Sequence, residues 1–252
     1  MKRLLIFLIF AFSHFLISSA ANADSLKVMA DNAYAKDNFE KAAKTYLRIA
    51  KMGESSVVCY NLGNCYYRLD DISHAILWYE RASLLNPGDE DIRFNLDMAR
   101  SKTIDRVIPK HEFFFVTWYH TMVNWMSADA WAYSSIILFV LCLIFLAIYI
   151  YAQPIWLRKT GFTMAVVLLF ATIVGNVFAW SQNYRLKNRN GAIVMAPSAV
   201  VKSTPSASGS DLFVLHEGTY VEIRDNSLNE WSEIVLSDGK QGWIEKQQIE
   251  VI

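Results

Sequence analysis

The fold class predicted for these 252 residues is a multidomain membrane protein: all-α helical hairpins, two transmembrane α-helices and a small all-β barrel, in that order. Three observations predict it. Apolar residues make up 54% of the chain against 19% charged, and they are clumped rather than spread evenly. Two of the clumps are free of charge over the length of a bilayer-spanning helix. Ahead of them the apolar pattern is helical, and after Asn190 it changes to short alternating runs. Net charge is zero, which gives no basic footprint for nucleic acid. The expected boundaries are a signal peptide over 1–23, hairpins over 24–108, an aromatic interfacial segment over 109–128, spans over 130–152 and 160–182, and the β module over 190–252.

Lys2 and Arg3 precede an apolar run from Leu4 to Ile17 that closes on small residues around Ala21 and Ala23. This is the layout of a secretory signal, with cleavage expected after Ala23. The alternative is an uncleaved anchor, for which the run is short, since a span needs about 20 apolar residues.

Between Ser56 and Asp89, Leu62, Gly63, Tyr66, Ala75, Tyr79, Ala82 and Pro87 stand at the spacing of a two-helix hairpin. Gly63 and Ala75 are small where two helices approach, Tyr66 and Tyr79 fill the space beside them, and Pro87 breaks the second helix. The pattern closely resembles the tetratricopeptide repeat, with Cys59 where that family has a larger apolar residue. A weaker upstream copy is carried by Ala30, Ala33, Phe39, Ala42, Tyr46 and Ile49. Downstream, Glu90 to Val107 (Ile92, Leu96, Ala99, Ile104) reads as one amphipathic capping helix, giving about two repeats plus a cap. The resemblance implies a concave groove that holds a partner's peptide or helix, lined here by Tyr60, Asn64, Tyr67 and Arg68. Packing against the neighbouring repeat is the alternative role for Tyr60 and Tyr67, and plain repeat consensus for Asn64. His74 falls at a helix start, on the surface.

From His111 to Trp125 the chain is crowded with aromatics: Phe113, Phe114, Phe115, Trp118, Tyr119 and Trp125, beside the single acid Glu112. The mix suits a helix lying in the headgroup layer, with the lipid bilayer as its partner; a dock for another membrane protein's helix is the alternative. Ser127 or Asp129 is placed to cap the helix that follows.

No charged side chain lies between Asp129 and Arg158, nor from Thr160 to Tyr184, and aromatic residues rim both blocks. Two spans return the chain to its starting side, so a cleaved signal puts the hairpins and the β module together outside the cytoplasm. Arg158 and Lys159 then suit a cytoplasmic turn, whereas Arg185, Lys187 and Arg189 run against the positive-inside tendency.

Past Asn190, Phe213-Val214-Leu215 and Tyr220-Val221-Glu222-Ile223 alternate, and Asp238-Gly239 marks a tight hairpin turn. With Gly242-Trp243 after that turn, residues 191–252 resemble a bacterial SH3-like domain. The resemblance implies peptide or cell-wall binding through exposed aromatics, Trp231 and Trp243. A barrel this small also needs large core fillers, the role favoured for Trp243.

Cys59 and Cys65 on one helix are separated by roughly 9 Å, too far for a disulfide. No nucleophile elbow, phosphate loop or metal-ligand motif occurs. The expectation is a protein that is not an enzyme and uses no cofactor or metal.

Signal, short tetratricopeptide array, paired spans and SH3-like tail together resemble the E-type proteins of the Bacteroides aerotolerance (Bat) operon, as does the stretch Asn95 to Thr103. That resemblance implies a multi-pass protein of the bacterial inner membrane with both soluble modules in the periplasm. It implies as partners the Bat proteins with von Willebrand A domains and, indirectly, a MoxR-type AAA ATPase, in oxygen or envelope stress tolerance. The function expected is a scaffold with a peptide-binding groove. The alternative is a cell-wall anchor that binds peptidoglycan through its SH3-like tail.

Overall fold

The computed structural model describes residues 24–107 and 113–252; the expected signal peptide lies outside the described residues. Two compact units emerge. The first joins residues up to Ala82, Asp91–Ile108 and Asn190–Ile252; the second joins Ser83–Glu90 and Pro109–Arg189.

In the first unit, helices α1 (24–34) and α2 (Phe39–Ala50) form one hairpin, and α3 (Ser56–Arg68) and α4 (Ile72–Leu85) the next. Each hairpin turns on an aspartate in the left-handed region, Asp37 with φ 55° and Asp70 with φ 60°. Asp is one of the few non-glycine residues that tolerate this conformation. Polar side chains start the helices: Asn38 accepts Lys41 N–H at 3.2 Å, Ser55 accepts Val58 N–H at 3.3 Å, and Asp71 accepts His74 N–H at 3.2 Å. Ala30, Ala33, Ala42, Tyr46 and Ile49 are buried in the first hairpin, and Cys59, Leu62, Ala75, Tyr79 and Ala82 in the second. The helices of the second approach so closely that a Cβ added to Gly63 would lie 2.5 Å from the Tyr79 ring. Cys59 and Cys65 are free and buried, and burial pushes the Cys65 thiol up to about 12.

Helix α5 (Glu90–Arg100) buries Ile92, Leu96 and Ala99. It stops short of the Val107 expected from the sequence. Thr103 N–H bonds back to Arg100 C=O at 3.1 Å, and Ile104 is exposed. The chain then leaves helical geometry so that Asp105 can bond to the β module and Val107 can pack on its core.

That module has seven strands: β1 (Gly191–Val194), β2 (Ser198–Lys202), β3 (Asp211–His216), β4 (Tyr220–Asp225), β5 (Trp231–Val235), β6 (Gln241–Glu245) and β7 (Ile249–Val251). Their order is β3-β2-β6-β5-β4-β1-β7, with antiparallel pairing throughout. The expected turn joins β5 to β6: Gly239 takes φ 87°, and Asp238 accepts Lys240 N–H at 2.9 Å. Ala192, Val194, Ala199, Val201, Leu215, Val221, Ile234, Leu236 and Ile244 form the core.

The barrel expected from the sequence is corrected to an open antiparallel sheet, because the end strands β3 and β7 do not pair with each other. Each instead gives a backbone group to the helical part. His216 N–H on β3 is taken by Asp105 at 2.6 Å, and Val251 C=O on β7 by Arg81 at 2.7 Å. Capping the ends in this way does for them what barrel closure would otherwise do.

The second unit contains α6 (Phe114–Val123), α7 (Ala128–Tyr151) and α8 (Ile155–Lys187). Of the two expected caps Ser127 serves, accepting Ala130 N–H at 3.3 Å. Helices α7 and α8 are long and apolar enough to cross a membrane. At 33 residues, α8 extends past 160–182 on both sides, taking in Arg158 and Lys159 at one end and Arg185 and Lys187 at the other. Small residues let the pair pack closely: a Cβ on Gly175 would lie 2.5 Å from Ser135 Oγ, and Cys142 Sγ donates to Ala165 C=O at 3.3 Å.

Candidate functional site

Tyr60, Asn64, Tyr67 and Arg68 stand four, seven and eight residues apart on α3, which places them on one face. Neighbouring helices complete that face. Asn95 on α5 donates through Nδ2 to Asn64 Oδ1 at 2.9 Å and to Tyr60 Oη at 2.9 Å. Tyr79 Oη on α4 donates to Asn64 Oδ1 at 2.7 Å. Both lone pairs of the Asn64 carbonyl are thereby used, so the group Asn64 offers a ligand is its amide N–H. Burial raises the Tyr79 hydroxyl well above its ordinary value of 10.0 and keeps it a donor.

At the other end of the face, Lys102 Nζ sits 4.3 Å above the Tyr67 ring and 3.4 Å from Asp70. The Arg68 guanidinium lies 4.5 Å over Phe39 and 3.5 Å from Asp37. These ion pairs are exposed and hold little energy, so both cations remain exchangeable toward an incoming anion. Tyr34 on α1 is half-buried against the same face, and burial raises its hydroxyl pKa.

Sequence reasoning named the α3 residues and missed Tyr34, Asn95 and Lys102. The repeat length was a usable signal for two of them, because Tyr34 and Lys102 stand one repeat, about 34 residues, before and after Arg68. Asn95 is off that period, and the resemblance noted over Asn95 to Thr103 gave it no place on this face. His74, expected on the surface, is half-buried: its ring stacks 5.0 Å from Tyr66 and bonds Asp71 at 2.8 Å.

On the β module, Trp231 rather than Trp243 is the more fully buried, at 8% exposure. Trp231 also floors a cleft of about 710 Å³ with Glu230, Lys246, Gln247 and Pro205 on its walls. Trp243 is half-buried, facing Glu233 on β5 and Lys202 on β2 in the strand register. Strand β6 comes so near β2 that a Cβ on Gly242 would lie 2.5 Å from Val201 Cγ1 on the core face, while Trp243, next along the strand, points to the opposite face.

In the second unit Phe113, Phe114, Phe115, Trp118 and Trp125 are all exposed, Phe113 at 83%. Helix α6 is held by its C-terminal end. Val123 C=O accepts from Trp131 Nε1 at 3.0 Å and from the buried Gln182 amide, which also donates to Met126 C=O at 2.6 Å. Tyr119 Oη donates to Ser181 at 3.2 Å, and Arg185 donates to Asn124 at 3.1 Å.

Among the described residues, no group of three or more His, Cys, Asp or Glu is placed to hold a metal ion. Comparison with curated proteins gave no match. The family model for the tetratricopeptide repeat matches residues 56–89, which take in α3 and α4 and carry all four of the α3 face residues.

Proposed function

We propose that this chain is a non-enzymatic membrane-anchored scaffold whose α1–α3–α5 face holds an extended segment of an envelope protein. Tetratricopeptide repeats generally bind protein partners, and the match over 56–89 supports that role here. One observation carries the finer reading: the side chains offered by the face, the Asn64 amide, Arg68 and Lys102, are all donors. Donors in a row between aromatic rings fit a run of peptide carbonyls or an acidic side chain.

Helices α7 and α8 are the anchor in this reading, and the exposed aromatics of α6 lie in the headgroup layer. The contacts of Arg81 with Val251 and of Asp105 with His216 support an even number of crossings, because residues that touch must share a compartment. The periplasm as that compartment rests on the signal-like start of the sequence. The resemblance to the Bat E-type proteins supplies the most specific partner, a von Willebrand A-domain membrane protein, with a MoxR-type ATPase acting indirectly in oxygen or envelope stress. The cleft beside Trp231 favours a second reading, in which an SH3-like tail binds peptidoglycan.

A photo-crosslinking residue placed at position 67 or at position 247 of the full chain in membranes separates the two. The scaffold reading expects capture of a von Willebrand A-domain protein from position 67, lost when Asn64→Ala and Arg68→Ala are combined. Capture of peptidoglycan from position 247, with nothing from position 67, would overturn it.

A further inference from the structure

Arg158 and Lys159 are the only charged side chains between Asp129 and Arg185. Both are exposed, and among the described residues neither forms an ion pair. They meet Tyr149, Ile155 and Phe162 around a pocket of about 310 Å³, where the last turn of α7 faces the start of α8. The Arg158 guanidinium lies 5.7 Å from the Tyr149 ring centroid, which orients it toward the pocket.

We propose that this pocket binds an anionic phospholipid, with the phosphate on Arg158 and Lys159 and the glycerol and upper acyl chain against Ile155, Phe162 and Tyr149. The proposal rests on α7 and α8 crossing the bilayer. Two adjacent cations at the edge of hydrocarbon attract a counter-charge, and the one acid of the hairpin, Asp129, stands at the far end of α7. From Lys159 to Arg185 along α8 is about 39 Å, wider than a hydrocarbon core of about 30 Å, so the pocket falls at headgroup level. Pro154 places no capping side chain over the start of α8, so first-turn N–H groups face the same region. A free phosphate could use the cations and the N–H groups, but it would leave the apolar wall unused. The wall, with Ile155 71% and Phe162 53% exposed, selects the lipid as the source of the phosphate.

The test is native mass spectrometry of the full-length chain in a non-ionic detergent with phosphatidylglycerol or phosphatidylcholine added. Wild type is expected to retain one phosphatidylglycerol in preference to phosphatidylcholine. Arg158→Gln and Lys159→Gln should each weaken retention roughly fivefold, with correspondingly larger loss in the double variant. The single variants decide the matter if the double variant loses helical content. Equal retention of the two lipids, unchanged retention in both single variants, or displacement by inorganic phosphate alone would overturn the proposal. Failure of the underlying anchor reading looks different: the chain would then stay soluble without detergent whatever its lipid preference.

Discussion

Asp105 accepts the backbone N–H of His216 at 2.6 Å across 111 residues of sequence. Its carboxylate also accepts the Thr219 hydroxyl at 2.8 Å and lies 2.9 Å from His216 Nδ1. Burial alone would raise the Asp105 pKa, but these hydrogen bonds outweigh it and hold the group below 3.8. Asp105→Ala leaves a part-buried strand-end N–H without its acceptor and should cost about 1–2 kcal/mol in thermal or urea unfolding. Acid should imitate the substitution. A carboxylate whose pKa is depressed on folding stabilises the protein above its unfolded value and loses that contribution as pH falls through the folded one. Stability should therefore drop below about pH 4 in wild type and be flatter there in Asp105→Ala.

Arg81→Lys should fail to rescue Arg81→Ala. The guanidinium donates to Val251 C=O at 2.7 Å, reaches Glu250 at 3.3 Å and stacks 4.5 Å over Trp78. A lysine ammonium has no planar fork to serve all three at once. Hydrogen exchange at Ile249–Val251 is the measurement, and both variants should show faster exchange of β7 than wild type.

Gly63→Ala should destabilise the second hairpin by about 1–3 kcal/mol, because the new methyl meets the Tyr79 ring within the packed helix pair. Combining it with Tyr79→Leu should recover part of the loss. The check is a double-mutant cycle read by helical circular dichroism.

The His74–Asp71 pair sets a second pH window. The hydrogen bond that His74 Nδ1–H donates to the Asp71 carboxylate holds the His74 pKa above 6.5 in spite of burial, with Glu250 adding to the effect. A histidine raised on folding stabilises the protein below its unfolded value and loses that contribution as pH climbs through the folded one. Stability should decline above about pH 6.5, and Asp71→Asn should flatten most of the slope.

What was legible in the sequence was local. Gly63 with Tyr79, a cap from Ser127 or Asp129 and the Asp238-Gly239 turn each depend on neighbours within a few residues or one hairpin, and the structure keeps the first and last as read and selects Ser127 for the cap. Long-range partners were not legible. The α5 pattern gave no sign that Asp105 would draw the chain out of its helix, since the group it meets is 111 residues away. The sheet looked like a closed barrel because nothing in the strands announces that Arg81 and Asp105 cap their outer ends. Trp231 and Trp243 carry equal apolar weight in the sequence. Both lie on the sheet face opposite Ile234 and Ile244, and only the segments around Pro205 and Lys246, which meet Trp231 at its cleft, separate the buried one from the half-exposed one. On the candidate face, the α3 residues followed from the repeat motif, while Asn95 depended on where α5 came to rest.

The Arg81–Val251 bond joins positions 170 residues apart, and both long apolar helices are threaded between them. During synthesis the second hairpin therefore emerges with its guanidinium waiting, and the acceptor arrives only after α7 and α8 have left the ribosome. A product that stalls before β7 never makes the bond and keeps a largely buried cation without its carbonyl. The second hairpin and the outer edge of the sheet are thus clasped only after both intervening apolar helices have been made.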